Sequence, residues 1–153
     1  MGTPAPRPLM DALTRALDKA ALSPDDRAMI LKAMAPYAFA HEAILSLFDQ
    51  SADLMGICGV DGTFRHVNRA FVEAFGWSFE ELTSRPLFRF VHPDDLEITR
   101  GKLEKLKAGF DVVRFENRWK SRDGRWQRVS WICPAPPEGG KDLFSLARVV
   151  GEA

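Results

Sequence analysis

The residues of this 153-residue chain best equipped for chemistry are three histidines, two cysteines and the aspartate pairs at 25–26 and 94–95. Cys58 and Cys133 lie 75 positions apart with no second Cys or His close by, a spacing that supports neither a C-x-x-C metal site nor a disulfide framework. Asp94 and Asp95 follow Pro93, so they read as partners of a helix's positive end, and no opposing acid completes a general acid/base pair. His92 belongs to the same helix opening, and His41-Glu42 falls within a helical pattern as ordinary surface positions. No Walker loop, G-x-S-x-G or H-E-x-x-H occurs. The expectation is a non-catalytic chain without a metal site.

Bulk properties narrow the class further. The chain is 46% hydrophobic and 27% charged, with 21 basic and 21 acidic side chains, which fits a folded domain and argues against a nucleic-acid binder. The charge is uneven: residues 1–99 carry 9 Lys/Arg against 14 Asp/Glu, and residues 100–128 carry 10 against 4. In the basic stretch the charges alternate with apolar residues, as on the solvated face of a sheet. Asp11 and Arg15 interrupt any signal-peptide core, and no apolar run has the length of a membrane span, so a cytoplasmic location is expected.

The elements that must position these residues follow from periodicity. Residues 1–8, rich in Pro and Gly, read as a disordered lead-in, and residues 9–48 as a helical segment. Met10, Leu13 and Leu17 recur at helical spacing; Ser23-Pro24-Asp25-Asp26 opens a second helix. Pro36 is expected to kink or divide that helix. Met29, Ile30, Met34 and Ile44 are further apolar positions of the segment, more surface than a lone helix can leave in water. From residue 49 the texture changes. Leu54–Val60 and 63–67 flank Asp61-Gly62, a hairpin signal in which both turn residues take positive φ. Asn68 caps a helix that stops at Gly76, Ser78 with Glu81 forms a capping box, and Pro93 starts a helix that ends at Gly109. The period then drops to two, with Val113, Phe115, Asn117 and Trp119 on one face, a turn at Asp123-Gly124, a return strand 126–133 and a last strand 143–150. Strands and helices in this order predict an α+β fold, an antiparallel sheet with helices on one face.

The wording of residues 47–152 resembles a PAS domain, the sensory fold of bacterial signalling proteins. Val60-Asp61-Gly62-Thr63-Phe64-Arg65-His66-Val67-Asn68 is similar to that family's first hairpin, and Phe75 to Leu82 to its "GYSxEEL" segment. Val91-His92-Pro93-Asp94-Asp95 resembles "vHPDD", and Glu116 to Val129 the strand pair "ExRxxxxDGxxRWV". The resemblance implies a five-stranded antiparallel sheet over residues 49–152, and a sensory or regulatory role in a sensor histidine kinase or similar protein. It departs at Arg128, where the family has an aromatic residue, and at Val149-Val150-Gly151, in place of the Asp-Ile-Thr that leads to an output helix. Residues 85–90 lack the Cys of the flavin-binding branch, and residues 93–108 lack the His of the haem-binding branch, so neither cofactor is expected. His66 and His92 rank as structural rather than haem ligands.

The resemblance also implies a cavity between helices and sheet, either filled by side chains or holding a small molecule. Phe71, Phe75, Phe88, Phe90, Leu103 and Phe115 are the candidate lining, with Asn117 as a polar contact. Met10, Leu13, Leu17, Met29, Ile30, Met34 and Ile44 are the candidate surface for packing or homodimerisation. Two functions follow: ligand-dependent helix packing with a signalling output domain as partner, or a constitutive interaction domain that binds no ligand.

Overall fold

The computed structural model describes residues 8–20 and 22–153, and the expected lead-in lies, Pro8 apart, outside them. The chain divides into two units, 1–48 and 49–153. In the first, α1 (Pro8–Asp18) and α2 (Pro24–Gln50) are the expected helices. Ser23 opens α2 as its composition foretold: its hydroxyl accepts from Asp26 N–H at 3.1 Å. The expected division at Pro36 does not occur, and α2 is one 27-residue helix through it. A proline removes one backbone donor, and the remaining turns on both sides carry the helix across. Along α2, Ala38 is buried, whereas Met29, Met34, Phe39, Ile44 and Leu45 are exposed, and Tyr37 and Leu47 are 69% and 72% exposed. Met10, Leu13, Leu17 and Ile30 are half-buried.

The second unit holds strands β1 (Leu54–Gly59), β2 (Phe64–Val67), β3 (Val112–Lys120), β4 (Trp126–Cys133) and β5 (Asp142–Glu152). They form one sheet in the order β2-β1-β5-β4-β3, every neighbouring pair antiparallel. Helices α3 (Arg69–Phe75), α4 (Phe79–Thr83) and α5 (Leu96–Lys107) pack on β1, β2 and β3 respectively. Single 3₁₀ turns at Leu87–Arg89 and Pro93–Asp95 join them. The expected helix from Pro93 to Gly109 is thus a 3₁₀ turn followed by α5.

The first hairpin turn differs from the expected two-residue type, and the second, at Asp123-Gly124, has the same form as the first. Gly62 and Gly124 have φ of 80° and 90°, while Asp61 and Asp123 stay at negative φ. Each Asp instead accepts from the backbone N–H two residues on, Asp61 from Thr63 and Asp123 from Arg125, both at 3.0 Å. The loops are therefore three residues long, with the glycine in the left-handed position that closes such a turn. Asn68 joins the first hairpin to α3. Fully buried, its Oδ1 accepts from Met55 N–H (3.0 Å) and Phe71 N–H (3.2 Å), and its amide donates to Asp53 O at 2.9 Å. The Ser78–Glu81 capping box is reciprocal, as the spacing predicted.

One strand departs from strict alternation. Between Val113 and Phe115 the β3–β4 register shifts, and Arg114 sits at φ 55°. This bulge leaves Val113, expected on the inner face, exposed, and buries Val112 and Phe115 in its place.

Candidate functional site

Trp119, on β3 and 1% exposed, is the hub of the interior. Its ring lies 5.3–6.1 Å from those of Phe64, Phe71, Phe75, Phe90 and Trp131, stacked parallel on Phe90 and tilted or edge-on to the others. Such contacts add to the burial of large apolar area. Phe71, Phe75 and Phe90 belong to this filled region and do not border the cavity beneath α5. The helix spacing of Phe71 and Phe75 turns both inward, where their partners are other aromatic rings. Phe88, half-buried, packs on the edge of the core with Arg100 5.2 Å above its ring.

The open space lies beneath α5 instead. A cavity of about 70 Å³ is bounded by Leu103 and Leu106 of α5, Val112, Phe115, Asn117 and Trp119 of β3, Trp131 and Cys133 of β4, Leu143 and Ser145 of β5, and Cys58 and Phe64 of β1 and β2. Three of the seven expected lining residues, Leu103, Phe115 and Asn117, are here. Among the strand residues of the wall that sequence reasoning missed are Cys58, Val112, Trp119, Trp131, Cys133 and Leu143. Their inward position in the strand alternation was the available signal, and the bulge hid Val112.

Polar groups at this cavity are ordered by one chain of hydrogen bonds. Trp131 Nε1 donates to Asn117 Oδ1 (2.7 Å), Asn117 Nδ2 to Thr99 Oγ1 (3.1 Å), and Thr99 Oγ1 to the Asp95 carbonyl (2.6 Å). The Asp95 carboxylate in turn accepts from Arg118 N–H, Nε and Nη2 at 2.7–2.9 Å. These Arg118 hydrogen bonds hold the Asp95 carboxyl below the usual carboxylate range. Asp95 is thus more than the dipole partner that its place after Pro93 suggested. His92 does serve the helix opening, its Nδ1 accepting from Asp94 N–H at 3.2 Å.

Among the described residues, two donors at the cavity have no hydrogen-bond acceptor or ion-pair partner. The Trp119 indole N–H is buried and meets no acceptor among the described residues, a deficit of about 1–3 kcal/mol for a polar group taken out of water. Lys102, half-buried in the cavity wall, places its ammonium 5.6 Å from the centre of the Phe115 ring. The two thiols are the opposite case. Burial pushes Cys58 and Cys133 up to about 12, so both are protonated and poor nucleophiles. Cys58 Sγ donates to Gly59 O at 3.2 Å. Among the described residues no cluster of three metal-ligating side chains exists, and no helix is long and apolar enough to cross a membrane.

An antiparallel sheet in the order β2-β1-β5-β4-β3, with short helices over one face and a small cavity under α5, is the architecture of a class of sensory domains. Residues 64–139 match the sequence profile of the family described as PAS fold. The 49–153 unit has the PAS fold. The PAS domain of an HTR-like protein from Haloarcula marismortui is 23% identical, with a TM-score of 0.63 over 78% of this chain and 98% of that one. A domain of a sensory box sensor histidine kinase/response regulator from Geobacter sulfurreducens is 21% identical, with a TM-score of 0.65 over 75% and 98%. The PAS domain of the quorum-sensing receptor RpfR from Cronobacter turicensis, solved in complex with C12:0, is 16% identical, with a TM-score of 0.57 over 66% and 96%. At these identities the likeness is one of fold.

Proposed function

We propose that this chain is a non-catalytic sensory module of a signalling protein, a sensor histidine kinase or a similar one, in which a small molecule in the cavity beneath α5 biases helix packing. The cavity carries this reading: it is an apolar space with a few ordered polar groups, in a core otherwise filled. The RpfR PAS domain with C12:0 supports the idea that this fold can house a small molecule. Asn117 touches the cavity and is bonded to both β4 and α5, so a ligand that favours one position of Asn117 also favours one position of α5. Only that difference in affinity shifts the equilibrium. The module works without flavin or haem, in the cytoplasm, binds no nucleic acid, and passes its signal to an output domain or partner protein.

The same reading makes the module a homodimer, through Met10, Leu13, Leu17, Met29, Ile30, Met34 and Ile44. The exposed apolar side chains of α2 support it. They also favour a second reading, a constitutive dimerisation domain whose cavity stays empty.

Native and denaturing mass spectrometry of the purified chain separates the two. A native mass above a whole multiple of the chain, with the excess released on denaturation, supports the sensory reading and identifies the guest. A bare dimer favours the constitutive reading, and a bare monomer removes the homodimer from both. Leu13→Asp and Leu17→Asp are expected to weaken the dimer while leaving the near-ultraviolet circular dichroism of the PAS core unchanged. Unaltered sedimentation would exclude α1 from the interface.

A further inference from the structure

We infer that the cavity beneath α5 selects a short-chain aliphatic monocarboxylate, with Lys102 as its counter-ion and the Trp119 indole N–H as a second donor; this rests on the sensory reading above. Three observations carry it. First, the wall contains no Asp or Glu, and its sole ionisable cation is Lys102. Among the described residues that ammonium has no carboxylate partner and stands over Phe115, a wall residue. No acid lies three or four positions from Lys102 along α5 either, since Ile98, Thr99, Lys105 and Leu106 occupy those places. A cationic guest would meet like charge there with nothing to neutralise it, whereas an anion supplies the missing partner.

Second, the unpaired polar group inside is a donor. Trp119 is 1% exposed, belongs to the wall, and its Nε1–H has no acceptor among the described residues. The neighbouring acceptors are engaged: Asn117 Oδ1 holds Trp131, and Thr99 Oγ1 holds Asn117. An occupant bearing acceptor oxygens answers the donors the fold leaves open, and one bearing only donors answers nothing.

Third, the space is small. A cavity of about 70 Å³ is roughly half of one that accommodates benzene, so the apolar part of the guest is on the order of three or four carbons. Leu103, Leu106 and Val112 supply the aliphatic surface such a tail needs. A long acyl chain of the C12:0 kind seen in RpfR exceeds this space as it stands.

The test is a ¹H–¹⁵N titration of the full chain with sodium butyrate, butan-1-ol and butylammonium chloride at constant ionic strength, read at the four tryptophan indole resonances and the cavity amides. Trp119→Phe assigns the indole peak. Butyrate is expected to move the Trp119 indole resonance with a dissociation constant on the order of 1 mM, the range open to so few atoms. Butan-1-ol should bind at least tenfold more weakly and butylammonium not at all. Lys102→Met, which keeps the apolar stem, should bring butyrate down to the affinity of the alcohol. If the alcohol binds as well as the acid, or Lys102→Met leaves butyrate unaffected, the carboxylate assignment is overturned while the sensory reading stands. If none of the three probes moves a cavity resonance, the carboxylate assignment is overturned again. The sensory reading then rests on whether mass spectrometry finds a different guest.

Discussion

The PAS interior has two ends built from different side chains. Against Trp119, the rings of Phe71, Phe75 and Phe90 pack edge-on, tilted or stacked and border none of the cavity beneath α5. Around Phe115, the wall joins Leu, Val and Cys side chains to Phe64, Trp119 and Trp131, drawn from α5 and all five strands, and a cavity remains. The aromatic end is local: Phe71 and Phe75 share one short helix, and Asn68 ties that helix to the β1–β2 hairpin. The cavity end is assembled from residues up to 87 positions apart, as between Cys58 and Ser145. Close ring packing is therefore concentrated around locally tied elements, and the open space lies where distant strands converge under a single helix.

Truncation at each end gives the largest contrast. Phe71→Ala leaves a hole bounded by four rings that cannot collapse into it, and a loss of about 3–5 kcal/mol is expected from urea denaturation. Leu103→Ala enlarges a space already present and should cost about 2–3 kcal/mol, near the lower limit for such changes. Equal losses would erase the distinction between a filled end and an adaptable one. Asn68→Ala comes next. It leaves the half-buried Met55 N–H and the buried Phe71 N–H without their shared acceptor and the Asp53 carbonyl without its donor, for an expected loss of about 2–4 kcal/mol. A loss under about 1 kcal/mol would mean that the hairpin and α3 are held chiefly by ring packing.

How much of this was legible in the sequence follows the same division. The devices at the aromatic end are written in contiguous residues: Asn68 before an apolar helix, Gly76 after it, Ser78 with Glu81. The sequence order of the strands and the two Asp-Gly hairpins likewise followed from alternation and turn signals, together with the PAS resemblance, whereas the β1–β5 pairing at the centre of the sheet was not read from them. The cavity end was only partly legible. Seven candidate lining residues were drawn from helices and one strand, and only Leu103, Phe115 and Asn117 border the space. Nothing local distinguishes an inward Phe that meets other rings from one that meets a void, because that depends on what three other strands place opposite. The bulge at Arg114 could not be read from spacing, and it exchanged Val113 for Val112 in the wall. The Asp95–Arg118 pair spans 23 positions, beyond any helical or strand repeat. In the 1–48 unit, local signals gave both helices, but the continuity of α2 through Pro36 overrode a propensity.

The thiols separate the two ends by alkaline titration. Burial is the main cause that raises Cys58 and Cys133 from 9.0 to about 12 in the folded protein. In the unfolded chain they ionise from about 9, so above that pH the folded state binds more protons than the unfolded one. Stability is then lost as pH rises from about 9 towards about 12. The double variant Cys58→Val/Cys133→Val should flatten this limb of the urea-midpoint profile. Native protein should also react with a disulfide reagent at pH 8 only as fast as it opens, and a reaction at the rate of free cysteine would show that the cavity end is solvated.

The smallest effect is expected on the acid side, where Asp95 is the informative group because it terminates the hydrogen-bond chain that begins at Trp131 and passes through the cavity wall. Three hydrogen bonds from Arg118 lower its folded carboxyl below the ordinary aspartate value, so its contribution to stability is present above about pH 4 and is lost as pH falls through the lower folded value. Asp95→Asn keeps the shape and the carbonyl that holds Thr99 but removes the charge. The variant should therefore be modestly less stable at pH 7 and lose less than the parent between pH 4 and 2.5. The aromatic end has lowered carboxylates of its own, Asp53 held by Arg148 and Glu81 by Ser78, so in an acid titration followed by NMR the amides of Thr99, Asn117 and Arg118 should lose their response in Asp95→Asn while those of Phe71 and Phe75 keep theirs. Loss of the response at Phe71 and Phe75 in that variant would mean that the Asp95–Arg118 pair braces the whole core rather than the roof of the cavity.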